Sequence, residues 1–460
     1  MKKFSIFSLM VIAVMFLSSL HYFSGTDPIL PSTPYVYNIP TIPSHLDTTV
    51  YGEQSDTILN FIEDDVATLG RVLFYDELLS ASGDISCATC HLQKFSFADS
   101  LTFSHGVNSA TTRNSLQLND LGWSNQTAYF WDMKISSVAG PFNTVLESAI
   151  QLPLTDPNEI GVGDINAMIQ KLNATNYYPG LFVDAYGSNT ITEPLILKAL
   201  SHFISSMVTF DTKFDQASTT GSSVTMTTEE LNGKALFERD CQFCHADGMN
   251  DFAAGGPLNG LFLLYDNGMQ RDSSDLGAGE WDPNFNFLYK IPSLRNIEVT
   301  TPYMHDGRFS TLEEVIDHYS DSIIQTSPWV PSPGFQYSKV EKTELIEFLK
   351  TLTSTNLLTH DKWSDPFPAL STGIEDLEEL ALTVNVYPNP ASEVATIEFK
   401  NDTRSMTYVK VFSANGQLMA HRSTHNSEVR VKVADYPAGT YLVKLNRNNE
   451  ETTKQLVVIH

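Results

Sequence analysis

Two short stretches carry the residues whose types and spacing can do chemistry: Cys87-Ala88-Thr89-Cys90-His91 and Cys241-Gln242-Phe243-Cys244-His245. Together they use all four cysteines of the chain. In a Cys-x-x-Cys-His pattern the two thiols add across the vinyl groups of a haem, which sets the adjacent His beneath the iron. Zinc and disulfides are the competing uses of paired cysteines. A zinc site usually takes four ligands, and each pair here would lack its second half. Two matched copies with no thiol left over point to two covalently bound haem c groups. Cys87, Cys90, Cys241 and Cys244 would attach them, with His91 and His245 as proximal iron ligands.

The elements that must position these motifs also repeat. Leu69-Gly70-Arg71-Val72-Leu73-Phe74 precedes the first, and Asn232-Gly233-Lys234-Ala235-Leu236-Phe237 precedes the second. Both read Gly-basic-x-Leu-Phe on a helix ending shortly before the cysteines, so two related domains in tandem are expected. The second helix has Thr227 or Thr228 as N-cap, with Glu229 and Glu230 in its first turn. Helical periodicity runs from about Phe61 to Thr353 and closes with an amphipathic stretch, Val340–Leu352. From Leu382 apolar and polar residues alternate, as in Ala395-Ile397-Phe399, Val409-Val411, Val429-Val431-Val433, Tyr441-Val443-Leu445 and Leu456-Val458. Turns are expected at Asn415-Gly416 and Pro437-Ala438-Gly439. That pattern predicts a small β-sandwich.

The fold expectation is therefore mainly α, with two tandem c-type cytochrome haem domains followed by a small all-β sandwich domain. The boundaries are 1–24 for a signal peptide, 25–55 for a Pro- and Thr-rich linker and 56–222 for the first haem domain. The second haem domain spans 223–356, an acidic linker 357–381 and the β-sandwich 382–460. Lys2 and Lys3 ahead of the apolar run Phe4–Leu20 read as a secretory signal; a single membrane anchor is the alternative, and the run is short for one. The chain is expected to be exported to the periplasm and then to the outer-membrane surface or the extracellular space. At 460 residues with a formal charge of −26, it is excluded from nucleic acid and anionic lipid surfaces, whose phosphates need clustered Lys and Arg. A basic electron donor would be attracted, although a merely solvated acidic surface reads the same way.

With both motifs placed, the flanking text resembles the di-haem cytochrome c peroxidase and MauG superfamily from about Phe61 to Leu352. The phrases that carry the resemblance are Leu69–Asp76, Ser86–His91, Arg113-Asn114-Ser115, Phe130-Trp131-Asp132, Ile291–Asn296, Thr301–Phe309 and Thr311–Val315. The resemblance implies that His91 serves a peroxide-reacting haem and His245 an electron-transfer haem, with Trp131 as a relay between them. It implies a distal acid, for which Glu159 in Asn158-Glu159-Ile160-Gly161 is the candidate. A carboxylate in a dry pocket can move a proton between the oxygens of peroxide, while a helix-start carboxylate is the plain alternative. The sequence departs from the family where a distal Gln is expected, at Ala149, with Gln151 as a substitute. It departs again where Trp-Asp-Gly-Arg becomes Trp131-Asp132-Met133-Lys134.

The sixth ligand of the second haem separates subfamilies. The aligned position is Tyr319, the MauG-like choice; Met304 is the guess from chemistry alone, and His305 is a nearby rival. A phenolate would stabilise ferric iron and lower the potential. A calcium ion between the domains is implied at Asn114, Thr300 and Pro302. His105 stands where some members place a gating ligand of the first haem, and an exposed loop His is the alternative. His202 and His318 read as structural or surface residues.

Val386-Tyr387-Pro388-Asn389-Pro390-Ala391-Ser392, Pro437–Val443 and the ending Lys454–Val458 resemble the C-terminal sorting domain of the type IX secretion system. A carbohydrate-binding or adhesive sandwich is the alternative. The leading expectation is a secreted peroxidase that reduces hydrogen peroxide to water with electrons from a small donor protein, a cytochrome c or a cupredoxin. Its other expected partners are the type IX secretion machinery and a second copy in a homodimer. The alternatives are a MauG-like oxidase of a protein or organic substrate, and a non-enzymatic surface electron carrier.

Overall fold

The computed structural model describes residues 27–38, 62–122, 129–134, 144–245, 264–269, 274–324, 333–367, 384–399, 407–413, 418–424, 427–447 and 450–460. The signal sequence, Asp376, Glu378 and Glu379 of the second linker and the Asn415-Gly416 turn lie outside them. The chain divides into two compact units, residues 1–369 and 370–460.

The first unit is helical. Its described helices are α1 (Asp64–Tyr75), α2 (Cys87–Cys90), α3 (Val145–Thr155), α4 (Ile165–Asn173), α5 (Tyr178–Tyr186) and α6 (Glu193–Ser205). They continue as α7 (Lys213–Ser218), α8 (Thr228–Asp240), α9 (Gln242–His245), α10 (Leu312–Asp321), α11 (Lys339–Lys350) and α12 (Thr355–Thr359). A short antiparallel ribbon joins β1 (Leu264–Tyr265) to β2 (Tyr289–Lys290). No helix among the described residues is long and apolar enough to cross a membrane.

The repeated phrase has a packing reason in both halves. A Cβ on Gly70 would lie 2.0 Å from the carbonyl oxygen of Ala199, and one on Gly233 would lie 1.9 Å from that of Glu344. Glycine thus lets α1 lie against α6 and α8 against α11 at backbone contact. Four residues later Phe74 meets Phe203 at 5.4 Å and Phe237 meets Phe348 at 5.3 Å, all four fully buried. The same glycine-and-aromatic contact is built twice, once in each of two separate apolar cores. Replacing Gly70 or Gly233 by Ala should therefore cost more than about 2 kcal/mol, because a helix must move off its partner. Chemical denaturation of the haem-loaded protein measures this, and a loss below about 0.5 kcal/mol would contradict it.

Helix starts follow the sequence signals. Thr227 is the cap of α8: its hydroxyl accepts from Glu230 N at 3.2 Å, and the Glu230 carboxylate accepts from Thr227 N at 2.7 Å. Helix α11 covers most of the predicted Val340–Leu352 stretch.

Both linker assignments need correction. Tyr37, inside the stretch assigned to the first linker, is fully buried in the core of α1 and α6; its N–H donates to Asp64 Oδ1 and its hydroxyl to Lys362 O. Leu357 and Trp363, inside the stretch assigned to the acidic linker, sit in the same core. The Ile29 N–H donates to Pro366 O at 2.7 Å, joining the two segments. Aromatic and leucine side chains in otherwise turn-rich text are the cause, since each gains more from burial than an open linker allows.

The second unit, taken by itself, is two antiparallel sheets. A three-stranded sheet has β3 (Val384–Tyr387), β4 (Val394–Phe399) and β7 (Glu428–Lys432) in the order β3-β4-β7. A four-stranded one has β5 (Thr407–Ser413), β6 (Leu418–Thr424), β8 (Gly439–Arg447) and β9 (Glu450–Val458) in the order β6-β5-β8-β9. The alternating apolar residues of the sequence, among them Ile397, Val411, Val431, Val443 and Leu456, form one core between the sheets.

Candidate functional site

Each Cys-x-x-Cys-His motif opens onto its own cavity in the first unit. Ser86 and Thr89 shape the first: Ser86 N–H donates to Thr89 Oγ1 at 3.0 Å at the start of α2, and His91 N–H donates to Cys87 O at 3.0 Å. In the second, His245 N–H donates to Cys241 O at 3.0 Å. These turns put both thiols and the imidazole of each motif into one cavity wall. None of the four thiols is in a disulfide. Burial pushes Cys87 and Cys241 up to about 12 and Cys90 and Cys244 up to about 11, so all four are protonated thiols.

The imidazoles are prepared for a metal. His91 Nδ1 lies 2.7 Å from Phe97 O, and His245 Nδ1 lies 3.3 Å from Pro292 O. A carbonyl only accepts, so each Nδ1 carries the proton and Nε2 keeps its lone pair. Burial lowers both values, His245 to about 4, which keeps the rings neutral as an iron ligand requires. The rest of each lining is largely apolar: Phe74, Leu146, Leu154, Leu200 and Ile204 in the first, Phe237, Leu312, Ile316, Leu345 and Leu349 in the second. A flat apolar macrocycle tethered by two thioethers fits both cavities.

The cavities share a partition. Residues 114–117, Trp131, Lys290 and Ser293 line both. Trp131 is buried; its indole N–H donates to Asn114 O at 2.8 Å and its carbonyl accepts from Lys290 N at 2.7 Å. Arg113 braces this wall, reaching Asp132, Asp275 and Glu280 at 2.7 Å each. His305 stacks on Tyr289 at 3.7 Å and meets Trp131 edge-on at 6.4 Å. Met133, where the family has Gly, takes φ +53°, a left-handed backbone that glycine adopts freely.

Glu159 lines the first cavity. Burial, reinforced by Asp156 and opposed by Lys134, raises its carboxyl above the usual range. Ala149 lines the same cavity, but Gln151 does not; its amide donates to Glu193 Oε1 at 2.8 Å, so it is no substitute for the family's distal Gln. His105 also differs from the gating expectation: it is exposed and outside both linings, while Ser104 and Gly106 line the first cavity. Backbone bonds from Val107 N to Glu159 O and from Gly106 N to Ser109 O hold this turn.

Tyr319 and Met304 both line the second cavity, whereas His305 is absent from that lining and belongs to the stack beside Trp131. Burial raises the Tyr319 hydroxyl well above its usual value, with Cys244 and Cys241 as the next causes. Asn114, Thr300 and Pro302 all belong to the lining of that cavity and all are buried. Among the described residues no three His, Cys, Asp or Glu gather as a metal site; an amide oxygen and two carbonyls are a different donor set. His318 and His202 are structural: His318 Nε2 donates to Asn267 O at 2.8 Å, and His202 Nδ1 accepts from the Glu63 N–H at 3.3 Å.

Sequence reasoning missed Lys290 and the Arg113 brace. Lys290 is buried in the partition, its ammonium pushed down to about 7 by burial, with Ile291 O at 3.3 Å. A lone lysine inside the apolar run Phe287-Leu288-Tyr289-Lys290-Ile291 was the available signal.

Two tethering motifs with paired cavities and one partition make this a di-haem c-type cytochrome, and its class is that of the oxidoreductases of peroxidase type. Residues 64–223 match the profile of the family described as di-haem cytochrome c peroxidase, and residues 385–459 match the secretion system C-terminal sorting domain. Methylamine utilization protein MauG of Methylorubrum extorquens is 31% identical over 306 residues, covering 62% of this chain and 77% of that protein. Cytochrome c551 peroxidase of Nitrosomonas europaea is 31% identical over 302 residues, covering 63% and 80%. Among solved structures, a MauG-like protein associated with microbial copper homeostasis superposes with a TM-score of 0.56 at 29% identity, covering 73% of this chain and 98% of that one. The di-haem peroxidase BthA of Burkholderia thailandensis shares the fold at a TM-score of 0.52 and 18% identity, covering 74% and 99%. The chain belongs to the di-haem cytochrome c peroxidase and MauG family, it carries two covalently bound haem c groups, and its sorting domain marks it as exported.

Proposed function

We propose that the protein reduces hydrogen peroxide to water at the first cavity, with electrons from a small redox protein, a cytochrome c or a cupredoxin. The observation that carries this reading is Glu159: a carboxyl of raised proton affinity in the wall of the cavity that also holds His91. Bound haem would supply the redox-active iron that accepts electrons and binds an oxygen of peroxide. Cys87, Cys90 and His91 hold one group, and Cys241, Cys244 and His245 the other. Glu159 takes the proton from the inner oxygen of peroxide and returns it to the outer one as it leaves as water. Trp131 links the cavities as a relay, and Arg113 fixes its position. Tyr319 would supply a phenolate oxygen to the iron of the second haem, with Met304 as its rival. The Asn114 side-chain oxygen and the backbone carbonyls of Thr300 and Pro302 would hold a calcium ion between the two haem domains, residues 56–222 and 223–356, and the Asn114 backbone carbonyl separately anchors Trp131. The sorting domain delivers the protein through type IX secretion to the outer-membrane surface or beyond.

A second reading, MauG-like oxidation of a protein or organic substrate, is favoured by Tyr319 in the second cavity and by the outward position of His105. One experiment separates these readings: absorption spectra of the oxidised and half-reduced haem-loaded protein, followed by peroxide with and without a reduced cytochrome c. The expected result is a high-spin haem in at least one redox state and peroxide-dependent oxidation of the cytochrome. Two permanently low-spin haems inert to peroxide would overturn the enzyme reading. Tyr319→Phe should raise the potential of the second haem, and an unchanged potential would remove that ligand assignment.

A further inference from the structure

We infer that Trp281 is a surface electron relay, through which a cationic outer-sphere reductant delivers single electrons to Trp131 without entering either cavity. The inference rests on the peroxidase reading and adds an entry point to it. Trp281 is 49% exposed, whereas the other described tryptophans, Trp131 and Trp363, are buried. Its indole N–H donates to Asp132 O at 2.6 Å, and Asp132 is peptide-bonded to Trp131. An aromatic ring in contact with solvent is therefore one hydrogen bond and one residue away from the ring that lines both cavities.

The contact is held from both sides. Arg113 pairs with Asp132 in the turn after Trp131 and with Asp275 and Glu280 on the segment that carries Trp281. Trp281 N–H donates to Ala278 O at 3.2 Å, and Phe285 packs on the indole at 5.3 Å. An indole serving only to anchor a loop has no need of an exposed face. The charges around it have one net sign. Glu280 and Asp282 flank Trp281 in sequence, and with Asp132 and Asp275 of the Arg113 cluster they make four carboxylates against the two cations Arg113 and Lys134, whose Nζ lies over the Phe130 ring. A negative surround lowers the cost of a positive charge on the ring and draws a cationic donor to it.

The electron count closes. One hydrogen peroxide takes two electrons and two protons to give two waters. Two donor molecules each lose one electron, and each electron crosses Trp281 by transient oxidation of the ring to a radical cation that the donor refills. No bond on Trp281 is made or broken, and its N–H stays on the Asp132 carbonyl.

The haem-loaded protein and its Trp281→Phe variant are mixed with peroxide and either hexaammineruthenium(II) or ferrocyanide, cationic and anionic one-electron reductants. Ruthenium oxidation is expected to fall at least about tenfold in the variant. In the wild type it should exceed ferrocyanide oxidation, by a margin that shrinks as salt is added. With peroxide and a nitroso spin trap but no reductant, peptide mass spectrometry should find the adduct on Trp281. Unchanged ruthenium oxidation in the variant, or a Trp281 peptide free of adduct, would overturn the relay, and equal use of the two reductants would overturn its charge preference. The haem spectral response to peroxide alone should be the same in both proteins; if the wild type gives none, it is the peroxidase reading that fails.

Discussion

A chain denied haem at either motif is expected not to fold in the affected domain. Cys87→Ala with Cys90→Ala would leave a void of about 370 Å³ among Phe74, Leu146, Leu200 and Ile204. Cys241→Ala with Cys244→Ala would leave one of about 200 Å³ among Phe237, Leu312 and Leu349. Each chamber would then either fill with water against an apolar lining or collapse, and both outcomes strip that lining of the packing that holds the domain. Whole domains are stable by about 5–15 kcal/mol, so neither core survives the loss comfortably. Limited proteolysis and far-ultraviolet circular dichroism of the two variants, made in a host that matures c-type cytochromes, measure the effect. Loss of one haem mass from each variant with rapid proteolysis of that half is the expected outcome. A protease-resistant chain with wild-type helicity would refute it.

The second large effect belongs to Glu159. Glu159→Gln keeps the shape of the side chain and removes its ability to take and return a proton, so peroxide turnover should fall by about 10²–10⁴. The pH dependence gives a separate readout. Burial and Asp156 raise the Glu159 carboxyl, so the neutral acid persists to higher pH than for a solvated glutamate. The group must first be a carboxylate to accept a proton, so turnover should rise with pH through that elevated value. In Glu159→Gln this limb of the profile should vanish. Stopped-flow rates across pH test both statements, and a variant with wild-type rate and profile would free Glu159 of its role.

Much of this was legible in the sequence because the chemistry is local. Cys87 to His91 and Cys241 to His245 are contiguous, and five residues are enough to state what they bind. The helix carrying Gly233 was readable for the same reason, down to a choice between Thr227 and Thr228 for its cap. Alternation in the tail was equally plain, since Ile397, Val411 and Val443 each sit two residues from the next inward side chain. What escaped depended on residues distant in sequence. Tyr37 and Trp363 lie in text that looks like linker, and their burial against α1 and α6 exists only once those helices are packed. Arg113 meets Asp275 across 162 residues, and no spacing rule anticipates that pair. Gln151 and His105 failed for a related reason. Position along the chain placed them near the first cavity, but Glu193 and the turn around Val107 decide which way they face.

The partition formed by residues 114–117, Trp131, Lys290 and Ser293 has two faces and a single set of side chains. Any replacement there is felt on both sides at once, so the two chambers cannot drift apart by changes in the wall between them. Divergence of one chamber from the other has to be written into the outer linings, at positions such as Leu146 and Ala149 for one and Val315 and Ile316 for the other.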